Sequence, residues 1–181
     1  MKKTLLAVMA VLMMSVMLIA GCSSGEEAAP AADKKSGTTT IGFSISTLNN
    51  PFFVSVKDGV EAKAKELGVN VKIVDAQNDP AKQANDVADL LQQGVSVLLV
   101  NPVDSAAIST SVEAANKAKI PVIALDRSAD KGTIASLVAS DNVKGGEMAA
   151  EYIIKKLGEG VKVAELEGIP GASATRERGD G

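Results

Sequence analysis

From Thr40 onward the chain alternates short apolar, β-branched runs with longer stretches in which apolar residues recur every three or four positions. Ile41 to Ser46 reads as the first strand. Asn50 can cap the helix that follows, and Pro51 can occupy its first turn, where a missing N–H is harmless. Phe53, Val56, Val60, Ala64 and Leu67 then recur at helical spacing until Gly68 ends the run. The cycle repeats: a strand at Val71 to Val74, a helix opened by Asp79 and Pro80 with Ala84, Val87 and Leu91 turned inward, a stop at Gly94, and a strand at Val95 to Val100. Asp104 is placed to cap a third helix bearing Ile108, Val112 and Ala115. Pro121 opens the strand Val122 to Leu125, a shorter strand lies at Ile134 to Val138, Asn142 to Leu157 is a fourth helix, and Val161 to Leu166 reads as a further strand.

Strands separated by helices are βαβ units, whose crossovers require parallel pairing, so the fold class is α/β with a doubly wound parallel sheet. The unbroken apolar runs Val97 to Val100 and Val122 to Leu125 suit strands covered on both faces. Gly168 to Gly181 is a Gly-rich loop followed by what reads as a helix N-terminus. With no partner strand following Val161 to Leu166, the chain is expected to be the N-terminal portion of a longer protein, with a second lobe begun at about Asp141.

Ahead of this pattern, Lys2 and Lys3 precede an apolar or small-residue run from Leu5 to Ala20, shorter than the ~20 residues that span a bilayer. It reads as a secretory signal. Ile19-Ala20-Gly21-Cys22 resembles the bacterial lipobox, which implies that Cys22 is acylated and becomes the mature N-terminus. Cys22 is the single cysteine, so no internal disulfide can form. Residues 23–39, rich in Ala, Ser, Gly, Glu, Lys and Thr, read as a flexible tether. The expected division is 1–22 signal and lipobox, 23–39 tether, 40–140 first α/β lobe and 141–181 start of a second.

Composition narrows the chemistry. The formal net charge is −3, and more negative once Lys2 and Lys3 are removed; aromatics are 2% of the chain and Trp is absent. Phosphate tracking and base stacking lack their residues, so nucleic acid is not an expected partner. Histidine is also absent, which removes the commonest general base and metal ligand; neither an enzyme, a cofactor nor a metal is expected. Gly168 to Gly171 lacks the P-loop pattern, and no GxGxxG follows the first strand.

In parallel α/β sheets ligands bind beyond the carboxyl ends of the strands. Those positions hold Asn49, Asn50, Phe52 and Phe53 after the first strand, Asn101 after the third, Asp126 and Arg127 after the fourth, and Arg176 and Arg178 after the late strand. An aromatic face packs on the C–H face of a sugar ring while polar groups take its hydroxyls, and Phe52, which falls off the apolar helix stripe, is the better candidate for that role than Phe53. Asp126-Arg127 offers a carboxylate beside a planar fork of donors, although such a step also occurs as a solvated loop or local ion pair.

Several segments together resemble one family. STLNNPFF (Ser46 to Phe53), QNDPAKQ (Gln77 to Gln83), NPVDS (Asn101 to Ser105), IPVIALDR (Ile120 to Arg127), SDNVKGG (Ser140 to Gly146) and the final GASATRERG are similar to the ribose-binding proteins of bacterial ABC importers, in one register from Thr40 to Gly181. The resemblance implies a two-lobed periplasmic-binding-protein type I fold that closes on its ligand, with the first lobe mostly present and the second truncated. It implies that Asn50, Phe52, Phe53, Asn101, Asp126, Arg127 and Arg178 contact the sugar. It implies D-ribose or a related monosaccharide as ligand, ABC permease subunits as partners, a monomer, and a place outside the cytoplasm, either lipid-anchored on the outer face of the cell membrane or periplasmic. A sugar or autoinducer sensor of the same fold, acting on a chemoreceptor or kinase, remains the alternative. A transcription regulator would need a helix-turn-helix where the lipobox and tether stand.

Overall fold

The computed structural model describes residues 39–181; the signal, the lipobox with Cys22 and nearly all of the tether lie outside the described residues. Five parallel strands form one sheet in the order β2-β1-β3-β4-β5: β1 (Thr40–Ile45), β2 (Asn70–Asp75), β3 (Val97–Val100), β4 (Val122–Leu125) and β5 (Ser136–Val138). The helices are α1 (Pro51–Leu67), α2 (Pro80–Gln92), α3 (Ser109–Lys117), α4 (Asn142–Leu157) and α5 (Ser173–Asp180). The strand alternation sorts the core into two layers. Phe43 and Ile45 of β1 pack with Phe53 of α1, whereas Leu98, Val100, Val122 and Ala124 pack with Val87 and Leu90 of α2 and Ile108, Val112 and Ala115 of α3. The sheet is thus covered on both faces, and the strand order reverses direction between β1 and β3.

The helix starts follow their side chains. Asn50 accepts the Phe52 N–H at 3.0 Å with Pro51 in the first turn, and Gly68 closes α1 in the left-handed conformation at φ 66°. Asp79 accepts from Ala81 and Lys82 at the start of α2. Asp104 departs from expectation: its carboxylate caps the N–H groups of Ala106 and Ala107 in a turn, and α3 begins only at Ser109. Leu67, expected on the buried stripe, is 61% exposed at the last position of α1. On α2, Gln83, Val87 and Leu90 are the buried set, with Ala84 and Leu91 only partly covered. The predicted strand Val161 to Leu166 does not form. A strand needs a ladder partner, none of the described residues supplies one, and Leu166 is almost wholly exposed.

Candidate functional site

The carboxyl ends of β3, β4 and β5 and the start of α1 surround a cavity of about 260 Å³. Phe52, Phe53 and Val56 of α1 form one wall; Asn101, Leu125 and Asp126 form the floor; Val138, Ala139 and Ser140 close the far side. Because successive helix residues point in different directions, the two adjacent phenylalanines divide their work. Phe53 is 3% exposed and belongs to the core, whereas Phe52 is 54% exposed. Their rings meet edge to face, with centroids 5.3 Å apart.

Asp126 adopts φ 64°, a left-handed conformation that Asp tolerates better than most residues. Two backbone bonds hold it there: its N–H donates to Val138 O at 2.8 Å, and the Arg127 N–H donates to Leu125 O at 2.7 Å. The kink sets the two charged side chains side by side, with Arg127 Nε 3.5 Å from Asp126 Oδ2. Arg127 also donates from Nη1 to Pro102 O at 3.0 Å and lies over the Phe53 ring, 5.1 Å from its centroid. Burial pushes the Asp126 carboxyl above the usual carboxylate range, with Arg127 and then Arg178 pulling it back and Glu177 adding to the rise. Burial likewise lowers the Arg127 guanidinium from its ordinary value, opposed by Asp126.

Asn101 is fully buried and already engaged. Its Oδ1 accepts from the Ser46 hydroxyl at 2.6 Å and from the Ser46 N–H at 3.2 Å, while Nδ2 donates to Leu125 O. It therefore ties the ends of β1, β3 and β4 together, with one amide proton left over. Arg178, on α5, is exposed, yet its charge is felt by both Asp126 and Arg127. The start of α5 is joined to the sheet loops: Ser105 N–H donates to Gly171 O, Ser173 N–H to Ser105 Oγ, and Ser128 N–H to Ser173 Oγ. Asn50 is outside the cavity lining and acts as a helix cap. Arg176 is directed to Asp130, 2.8 Å away.

Three contributors went unnoticed in the sequence. Gln83, 1% exposed, donates from Nε2 to Ser44 Oγ and Asn101 O and accepts the Val103 N–H. Its spacing to Val87 and Leu90 marks the buried stripe of α2, and that was the available signal. Ala139 and Ser140 follow β5, so the strand-end rule extended to that strand would have named them. Among the described residues no group of three or more His, Cys, Asp or Glu is placed to hold a metal, and no helix is long and apolar enough to cross a membrane.

A doubly wound sheet with an aromatic wall and paired charges beyond its strand ends is an α/β fold whose cavity lies where such sheets hold small ligands. The chain belongs to the periplasmic binding protein domain family, whose model matches residues 41–181. It is 59% identical over 177 residues to the ribose import binding protein of Bacillus subtilis (strain 168), covering 97% of this chain and 58% of that one. It is 56% identical over 142 residues to the protein of the same name from Escherichia coli (strain K12), covering 78% and 48%. Among solved structures, the Caulobacter myo-inositol binding protein bound to myo-inositol is similar at TM-score 0.76 and 33% identity, over 81% of this chain and 50% of that one. The chain thus spans about half the length of the curated relatives it matches.

Proposed function

We propose that this protein captures D-ribose, or a closely related monosaccharide, at the strand-end cavity and delivers it to the permease of an ABC importer, without chemical turnover. The observation that carries the reading is the meeting of Phe52, Phe53, Asn101 and Asp126 in one cavity, with Arg127 against Phe53, in a chain 59% identical to a ribose import binding protein. In this reading Phe52 stacks on the sugar ring, the remaining Asn101 amide proton and the Asp126 and Arg127 side chains take hydroxyls, and Arg178 approaches from α5. Asn50 contributes mainly by fixing the start of α1 and hence the two rings. Residues 40–140 form one lobe of the binding cleft and 141–181 open the second. Family membership supports a place outside the cytoplasm; in this reading Cys22 anchors the protein there by lipid, residues 23–39 let the body stand off the membrane, and it works as a monomer.

The test is calorimetric titration of the full-length protein lacking residues 1–22 with D-ribose, alongside allose, xylose, galactose and glucose. Saturable D-ribose binding, lost in folded Arg127→Ala and Asp126→Asn variants, is the expected result. A folded protein that takes up none of these sugars would overturn the assignment. Loss of membrane association in a Cys22→Ala variant checks the anchor.

A further inference from the structure

Asn142, the first residue of α4, is 4% exposed and occupies an unusual position. Its Nδ2 donates to Ser140 O at 3.2 Å and to Glu177 Oε2 at 2.9 Å. Both partners are acceptors, so the amide cannot be turned round without setting its own oxygen against two others. The orientation is therefore forced, and Oδ1 is left buried with no partner. An orphaned buried acceptor is unfavourable, and its retention calls for a compensating role of the two bonds the nitrogen makes. Ser140 lines the cavity, and Glu177 directly precedes Arg178.

A second contact fixes the same spot. Gly146, one helical turn beyond Asn142, lies so close to the Arg178 carbonyl that any Cβ there would overlap it. α4 thus grips α5 at Arg178 by a backbone approach and at Glu177 by a side-chain bond. The charges agree with that placement, since Asp126 feels the Arg178 cation more strongly than the neighbouring Glu177 anion.

We infer that Asn142 is a positioning residue, which through Glu177 sets where Arg178 stands against the Asp126–Arg127 end of the cavity. This rests on the reading above that Arg178 reaches the ligand. Asn142 itself touches no sugar in this scheme; its role is to hold the donor that does.

The experiment is a double-mutant cycle on the full-length protein: Asn142→Ala, Arg178→Ala and the pair, titrated with D-ribose, with Glu177→Ala and Glu177→Gln as companions. Asn142→Ala is expected to weaken binding about tenfold alone and by less than about twofold in the Arg178→Ala background. Glu177→Ala should match it, while Glu177→Gln, whose amide oxygen still accepts from Asn142, should restore near-native affinity. The same factor in both backgrounds, or no loss from Asn142→Ala alone, overturns the inference. If the unaltered protein binds no sugar, the proposed function falls, and the inference is judged on the sugar-free protein by NMR titration of the Asp126 carboxyl. Asn142→Ala should move that titration to higher pH, as Arg178→Ala does, and add nothing to it; an unmoved titration overturns the inference independently.

Discussion

Replacing Gln83 with Leu tests whether the floor of the cavity is held from below. Leu is close to Gln in volume, so packing changes little and the cost falls on hydrogen bonds. The Val103 N–H (2.8 Å), the Asn101 carbonyl (2.9 Å) and the Ser44 hydroxyl (3.2 Å) all lose a partner at positions closed to water. A buried group left unpaired costs about 1–3 kcal/mol. Two backbone groups and a weakly bonded hydroxyl, allowing for local relaxation, give about 2–5 kcal/mol, against a typical total of about 5–15 kcal/mol. In urea unfolding, at a slope of about 2 kcal/mol/M, this is a fall in midpoint of about 1–2.5 M with the slope unchanged. D-ribose affinity should drop as well, because Asn101 and the loop after β3 lose their common support. A Gln83→Glu variant serves as control: the carboxylate can accept from Val103 but faces the Asn101 carbonyl with no proton to give, so it should also be destabilised. A Gln83→Leu protein within about 0.5 kcal/mol of the parent would refute the reasoning, showing that these groups find other partners.

Other outcomes follow from the same geometry. Phe53→Ala should cost about 3–5 kcal/mol of stability by opening a core cavity, whereas Phe52→Ala should leave stability within about 0.5 kcal/mol and lose binding by about 0.5–1.5 kcal/mol; paired urea and calorimetric titrations separate the two. Gly146→Ala, which would favour an isolated helix by up to about 1 kcal/mol, should instead destabilise by about 1–3 kcal/mol as α5 is pushed from α4, read as a lower melting temperature. The sugar-free folded state holds the Asp126 proton more tightly than the unfolded chain does. The Asp126 contribution to stability should therefore decline as pH rises from the ordinary carboxylate value through the raised one, and urea midpoints against pH should show this component vanish in Asp126→Asn.

Most of the architecture was legible because its punctuation is local. Asn50-Pro51, Asp79-Pro80 and Gly68 mark boundaries by capping chemistry, and α4 begins and ends where periodicity puts it. Asp104 misled for the same reason: a carboxylate that caps a turn looks identical in sequence to one that caps a helix. Val161 to Leu166 carries the composition of a strand, but strand formation depends on a neighbour that local sequence cannot specify. At the site, the strand-end rule picked out residues that the fold brings together, namely Phe52, Phe53, Asn101, Asp126 and Arg127. It could not show that Asn101 spends most of its hydrogen bonds on Ser46 and Leu125, or that Gln83 supports it, since both depend on contacts between residues far apart in the chain.

The adjacency of Phe52 and Phe53 bears on how the cavity can change what it admits. A step of about 100° around α1 separates a ring the sheet cannot do without from a ring that faces the cavity. Variation at Phe52 can retune the shape of the pocket while Phe53 keeps the layer between α1 and β1 intact. Selectivity and foldability are thereby assigned to neighbouring codons, and one can drift while the other stays put.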